Sequence, residues 1–257
     1  MVEKSKAFIK KDMIILLDMV KYFRGDIVDS WFNKQLETLN IMPSDTMMKQ
    51  FALYHDFLIH KNTVMNLTAI TEKEEIYKKH FLDSLYLILA FTPQEQTLLD
   101  VGSGAGFPSI PLKIMFPKLQ ITIIDALDKR IKFLTELVEL LGLEGVTLIH
   151  GRIEDSLKKN HYEIVTARAV AKLNILTELC LPFVKPKGIF VAMKNANFQV
   201  ELKEAQAGIA LLGGTVMQKV IYSLDETTKH AMIVIQKNQP TDHKYPRAFN
   251  KIKKNPL

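Results

Sequence analysis

Residues 98–112 read LLDVGSGAGFPSIPL, in which three glycines and two prolines stand between apolar runs. Glycine suits a backbone that must turn sharply or let a ligand approach, so Gly102, Gly104 and Gly106 mark a strand that ends in a ligand cradle. A helix is expected to follow. Pro108 suits a first helical position, where its missing N–H costs nothing, and the free amides of a first turn favour negative charge. The loop is therefore expected to grip an anion or a carboxylate.

Outward from this loop, short β-branched runs alternate with helical patterns. TLLDVG is followed by PSIPLKIMF, QITIIDA by DKRIKFLTELVELLG, VTLIHG by IEDSLKK, YEIVTARAV by LNILTELCLPFV, and GIFVAMK by a helix over about 198–212. This alternation predicts a doubly wound, Rossmann-like α/β fold with a parallel sheet. The last pair, GTVMQKVIYSL and HAMIVIQK, is expected to form antiparallel edge strands. Before the loop, from Phe8 to about Leu89, apolar residues recur at helical spacing, as in IILLDMVKYF and TMMKQFALYHDFLI. They predict a helical cap, with one helix starting at Ser44 and Asp45 and another opened by Thr71, where Glu74 would complete a capping box. The expected divisions are an extension and cap over 1–92, a core over 93–237 and a basic tail over 238–257.

The 257 residues are 47% hydrophobic and carry a net charge of +6. Counted from Lys237, the last core residue, to the end, six cations stand against Asp242 alone, so this stretch contributes +5 of that total. Such a tail is a footprint for phosphate backbones, or else a solvated end. The single cysteine, Cys180, lies in an apolar stretch and reads as buried, which leaves no disulfide framework and no metal-ligand cluster. No apolar run reaches the roughly 18–20 residues of a membrane span, and the charged start lacks a signal-peptide pattern. A cytoplasmic monomer without metal or membrane attachment is expected.

Two cofactor classes compete for the loop. The dinucleotide fingerprint G-x-G-x-x-G needs glycine where Phe107 stands. The observed G-x-G-x-G after a strand ending in Asp-Val is instead the usual first motif of class I S-adenosylmethionine-dependent methyltransferases. Asp125, ending the second strand, could accept both hydroxyls of a ribose. Ile153 and Glu154, after the third, could wall and hydrogen-bond an adenine. Methyltransferase is the favoured reading over dehydrogenase.

The fourth strand runs into TARAVAKLN. The Asn/Asp-Pro-Pro-aromatic quartet of exocyclic-amine methylation is missing there, and Cys180 is misplaced for a pyrimidine-C5 nucleophile. An acceptor needing no activation remains, such as guanine N7, whose lone pair carries no proton. Alignment and charge management would suffice. Arg168 fits such a catalytic role, clamping the cofactor carboxylate or a phosphate, stacking on a base, or making a structural ion pair.

The motifs MNLTAI (65–70), HFLDSL (80–85), LLDVGSGAGFPSIPL, GRIED, TARAVAKL, AMK (192–194), KYPR and a terminal PL together resemble the ribosomal RNA small subunit methyltransferase G family, also called glucose-inhibited division protein B. The resemblance covers about 53–257. It implies methyl transfer from S-adenosyl-L-methionine to N7 of a guanine in the decoding-region loop of 16S ribosomal RNA, with the small ribosomal subunit or its precursor as partner. It places the cofactor against Gly102, Phe107, Ile153, Glu154 and Arg168. The tryptophan usual before NLTAI is absent, and the usual ending YPRRxGxPxKxPL is here YPRAFNKIKKNPL. Asn66, His80 and Asp83 could line the guanine entrance or brace the cap; Lys194 could meet a phosphate or stay solvated. Lys244 and Arg247 are expected at the RNA. A small-molecule methyltransferase and a non-catalytic RNA chaperone are the alternatives.

Overall fold

The computed structural model describes residues 27–227 and 229–257. The helical pattern expected over 14–23 lies outside them. Helices α1 (Ile27–Thr38) and α2 (Asp45–Met65) are followed by a helical run, α3, over 73–89. Ser44 starts α2 as its sequence predicts: its Oγ accepts from the Met47 N–H at 3.3 Å. The start expected at Thr71 is not used. The helix opens instead at Lys73, with Glu72 in the cap position and no side-chain cap. Glu74 and Glu75 lie in its first turn, where negative charge is favourable. Nor is α3 regular, because Tyr77–Leu82 forms a π turn before the α turn Asp83–Leu85 and the 3-10 turn Tyr86–Leu89. Such widened turns concentrate at functional sites.

Strands and helices then alternate through β1 (Thr97–Val101), α4 (Ser109–Met115), β2 (Gln120–Asp125), α5 (Asp128–Leu141), β3 (Val146–His150), α6 (Ile153–Ser156), β4 (Tyr162–Arg168), α7 (Leu173–Cys180), β5 (Val184–Asn195) and α8 (Gln199–Leu211). The hairpin β6 (Gly214–Ser223) and β7 (Lys229–Lys237) completes one seven-stranded sheet, ordered β3-β2-β1-β4-β5-β7-β6. Strands β1 to β5 pair in parallel, and β7 runs antiparallel to both β5 and β6. This is the doubly wound α/β fold with its helical cap. Of the two strands expected at the edge, only β6 is there. The run Ala231–Ile235 of β7 is buried on both faces, as an interior strand's is. The connections leave β1 toward β2 and return on its other side to β4, so the ligand crevice opens at the carboxyl ends of β1 and β4.

The cap shares its core with one face of the sheet, where Phe32, Phe51 and Phe81 join a cluster with Ile110, Ile123 and Leu134. On the other face Leu176, Cys180 and Ile209 cluster with Tyr245 and Ile252 of the tail. Residues 238–257 are thus folded onto the protein, ending in α9 (Phe249–Lys254). Among the described residues no helix is long and apolar enough to cross a membrane.

Candidate active site

The glycine loop adopts backbone angles that only glycine takes readily: φ is +73° at Gly102, +63° at Gly104 and +101° at Gly106. A Cβ on Gly106 would stand 2.7 Å from Ile110 Cγ1 and 2.8 Å from Tyr54 Oη, so tight packing requires this glycine. A Cβ on Gly104 would meet nothing within 4 Å. Open space therefore lies before Gly104, where a ligand can approach the backbone. Pro108 sits one position before α4, as its cap residue. From the cap, Tyr54 Oη donates to Ala105 O at 2.5 Å and pins the loop to α2.

Two carboxylates flank the loop. Asp125, at the end of β2, accepts from Leu127 N–H through Oδ1 and from Gly104 N–H (3.3 Å) and Arg130 through Oδ2. Asp100 is fully buried beneath the loop, and Ser109 Oγ donates to its Oδ2 at 2.5 Å. Burial pushes the Asp100 carboxyl up to about 7, against the pull of Ser109 and Arg168. Its Oδ1 and Ser103 Oγ are buried without hydrogen-bond partners. Open space, an acidic end to β2 and unpartnered polar atoms fit a ligand that carries hydroxyls, an ammonium and a carboxylate, as S-adenosylmethionine does.

Beside the loop lies a cleft of about 480 Å³. Arg168, at the tip of β4, links the two: its guanidinium lies 5.1 Å from the Phe107 ring centroid and also lines the cleft. The next loop touches the glycine loop as well, since a Cβ on Gly102 would meet Val170 Cγ2 at 2.9 Å. Asp83 fixes Arg168 in place. This carboxylate, 2% exposed, accepts from Arg168 Nη1 at 2.7 Å, Tyr222 Oη at 2.8 Å and His230 Nδ1 at 2.8 Å. Burial raises the Asp83 carboxyl, but His230, Arg168 and Tyr222 outweigh it and hold the group below its ordinary range. Burial, and then the Asp83 carboxylate, push the Tyr222 hydroxyl up against the opposing pull of Arg168.

His80 stacks on Phe107 with centroids 4.5 Å apart, and its Nε2 lies 2.8 Å from Thr68 Oγ1. Burial and then Arg168 lower it to about 4, which keeps the ring neutral near pH 7. Thr68 belongs to the MNLTAI motif, whose backbone is tied by Asn62: its Oδ1 accepts from Leu67 and Thr68 N–H. That motif therefore braces His80.

The expected site residues do not all meet. Arg168, His80 and Lys194 line the cleft, while Gly102, Gly104 and Phe107 form the adjoining loop with Asp125 beside it. Lys194 is paired with Glu201 Oε2 at 2.7 Å. Asn66, expected at the guanine, does not line the cleft; it ends α2 in a left-handed conformation (φ 50°) that asparagine tolerates. Ile153 is buried in the core, and Glu154 Oε1 accepts from Phe249 N–H at 3.3 Å, turning toward the tail. Lys244 is exposed and pairs with Asp242. Arg247, expected at the RNA, instead anchors the tail: its Nε and Nη2 hold the buried Glu178 at 2.8 and 2.5 Å. Tyr222, His230, Asp100 and Glu201 join the site without belonging to the set that the sequence predicts. Only Asp100, adjoining the glycine motif, left a local signal.

The family model for rRNA small subunit methyltransferase G matches residues 47–232. The protein named ribosomal RNA small subunit methyltransferase G from Lactococcus lactis subsp. lactis is 47% identical over 232 residues, covering 88% of this chain and 98% of that protein. Its namesake from Staphylococcus saprophyticus is 47% identical over 233 residues, covering 89% and 98%. That from Ligilactobacillus salivarius is 45% identical over 235 residues, covering 88% and 98%.

Proposed function

The chain belongs to the rRNA small subunit methyltransferase G family, and from that premise we propose that it transfers a methyl group from S-adenosylmethionine to N7 of a guanine in the decoding-region loop of 16S ribosomal RNA. When bound, the cofactor supplies an electrophilic methyl group. Gly102, Gly104 and Phe107 would hold it at the loop, with Asp125 on the ribose hydroxyls and the buried Asp100 near the ammonium.

The observation that carries this reading is the position of Arg168, which touches Phe107 of the loop on one side and lines the 480 Å³ cleft on the other. A base in that cleft stands next to the cofactor loop. Guanine N7 has a lone pair and no proton to lose, so the reaction needs no general base. This accords with a neutral, low-pKa His80 and with the fully buried Cys180, whose thiol burial pushes up. What the residues must supply is alignment and charge balance, because positive charge passes to the base as the bond to N7 forms. Asp83 neutralises Arg168 at 2.7 Å and keeps that cation from opposing the new charge. The exposed Lys244, Lys251, Lys253 and Lys254 would meet RNA phosphates.

The experiment is transfer of labelled methyl to small subunits, and to their extracted RNA, from cells lacking this protein. Labelled 7-methylguanosine at one site is expected. Cofactor binding with no incorporation into either substrate would refute the reading.

A further inference from the structure

The cleft is walled from both faces of the sheet. His80 and Asp83 come from α3, on the face whose core includes Phe107, whereas Glu201 comes from α8, on the opposite face. Met193 and Phe198 contribute an apolar, aromatic part of the lining, which suits the faces of a planar base. Glu201 is held rigidly by one oxygen alone. Oε2 accepts from Leu173 N–H at 2.8 Å and pairs with Lys194 Nζ at 2.7 Å, and Oε1 has no such partner among the described residues. The side chain is 29% exposed.

Resting on the reading that the acceptor is a guanine, we infer that Glu201 is the specificity-determining residue: its carboxylate receives the N1–H and N2–H donors of the guanine Watson–Crick edge. Guanine carries its acceptors, N7 and O6, on one edge, and these donors on another. A base that turns N7 toward the glycine loop turns its donor edge away from it, toward the α8 wall. There Oε1 is available and Lys194 with the Leu173 amide keeps the carboxylate in position. The Lys194 and Leu173 contacts, acting against burial, also hold Glu201 ionised. Adenine would set the N1 lone pair against this carboxylate and be rejected. Positive charge gained by the base on methylation is favoured by the same group.

The test uses small subunits rebuilt with 16S RNA bearing guanine or inosine at the target position, since inosine lacks only the 2-amino group. The unaltered protein should favour guanine by roughly tenfold or more in kcat/KM, the effect of one hydrogen bond to a charged group. In Glu201→Gln, which keeps only a neutral acceptor, the guanine-to-inosine ratio should fall by roughly fivefold. Loss of folding alone would slow both substrates and leave their ratio unmoved. Glu201→Asp, which keeps the charge but withdraws it by one methylene, provides a second reading if the first variant does not fold, and its ratio should fall as well. A ratio near one in the unaltered protein, or an unchanged ratio in a folded variant, would overturn the assignment. Failure of the unaltered protein to methylate either RNA would overturn the parent reading and this assignment with it.

Discussion

Replacing Asp83 by alanine removes the anion on which Arg168, Tyr222 and His230 converge. Each donor lies 2.7–2.8 Å from the carboxylate, so the change leaves a guanidinium without its counter-charge and two further donors unpaired. Breaking one partner of a buried ion pair costs about 3–5 kcal/mol. The side chains of Arg168 and His230 are 16% and 23% exposed, and water from the cleft can reach them. The lower figure, about 3 kcal/mol, therefore applies. In a chain of this size that corresponds to a melting temperature lower by about 6–12 °C. Arg168 also loses its tether, and a displacement of about 1 Å would cost roughly 10²-fold in kcat. Asp83→Asn, which retains an acceptor, should fall between. Calorimetry and single-turnover methyl transfer at neutral pH are the assays. A melting temperature within about 2 °C of the parent, with kcat unchanged, would refute the reasoning. The effect also has a required pH dependence. Folding lowers the Asp83 carboxyl from its ordinary 3.8, so its stabilisation is present above that value and disappears as pH falls through the folded pKa. The stability gap between parent and Asp83→Asn must therefore narrow in acid below 3.8.

The two glycines should separate packing from ligand approach: Gly106→Ala meets Ile110 and Tyr54 and should unfold the loop, while Gly104→Ala meets no atom within 4 Å, costs about 1–2 kcal/mol of stability for its left-handed backbone, and should weaken cofactor affinity by calorimetric titration of the folded variant. A normal dissociation constant for Gly104→Ala would argue against a cofactor at that backbone. Arg247→Ala leaves the fully buried Glu178 carboxylate without its counter-charge, accepting still from the residue-247 N–H, and should cost about 3 kcal/mol while exposing 238–257 to limited proteolysis. Arg247→Lys should restore little of this, because an ammonium cannot reproduce the two-pronged contact; full restoration would contradict that account. Burial raises Asp100 from 3.8 to about 7, so its folded form loses stability as pH rises across that window. Asp100→Asn should then gain more in melting temperature over the parent at about pH 8 than at about pH 5, and equal gains would count against the burial argument.

The parts of this protein that its sequence determined by itself are those set by local backbone geometry and periodicity. Three positive-φ glycines can only be a tight loop, Ser44 caps α2 through a residue three positions away, and alternating apolar runs place Asp125 at a strand end. Tertiary structure alone decided what depends on register and packing between distant elements. The Asp83 network joins α3 to β4, β6 and β7 across separations of 85, 139 and 147 residues, and no short-range pattern encodes such meetings. The π turn that accompanies it is invisible in a helical periodicity, and β7 became an interior strand because β6 paired along its outer side. In the sequence Arg247 is one more cation in a basic tail. A carboxylate buried 69 residues earlier claims it, because an unpaired charge in the core costs far more stability than one solvated phosphate pairing at the surface could return.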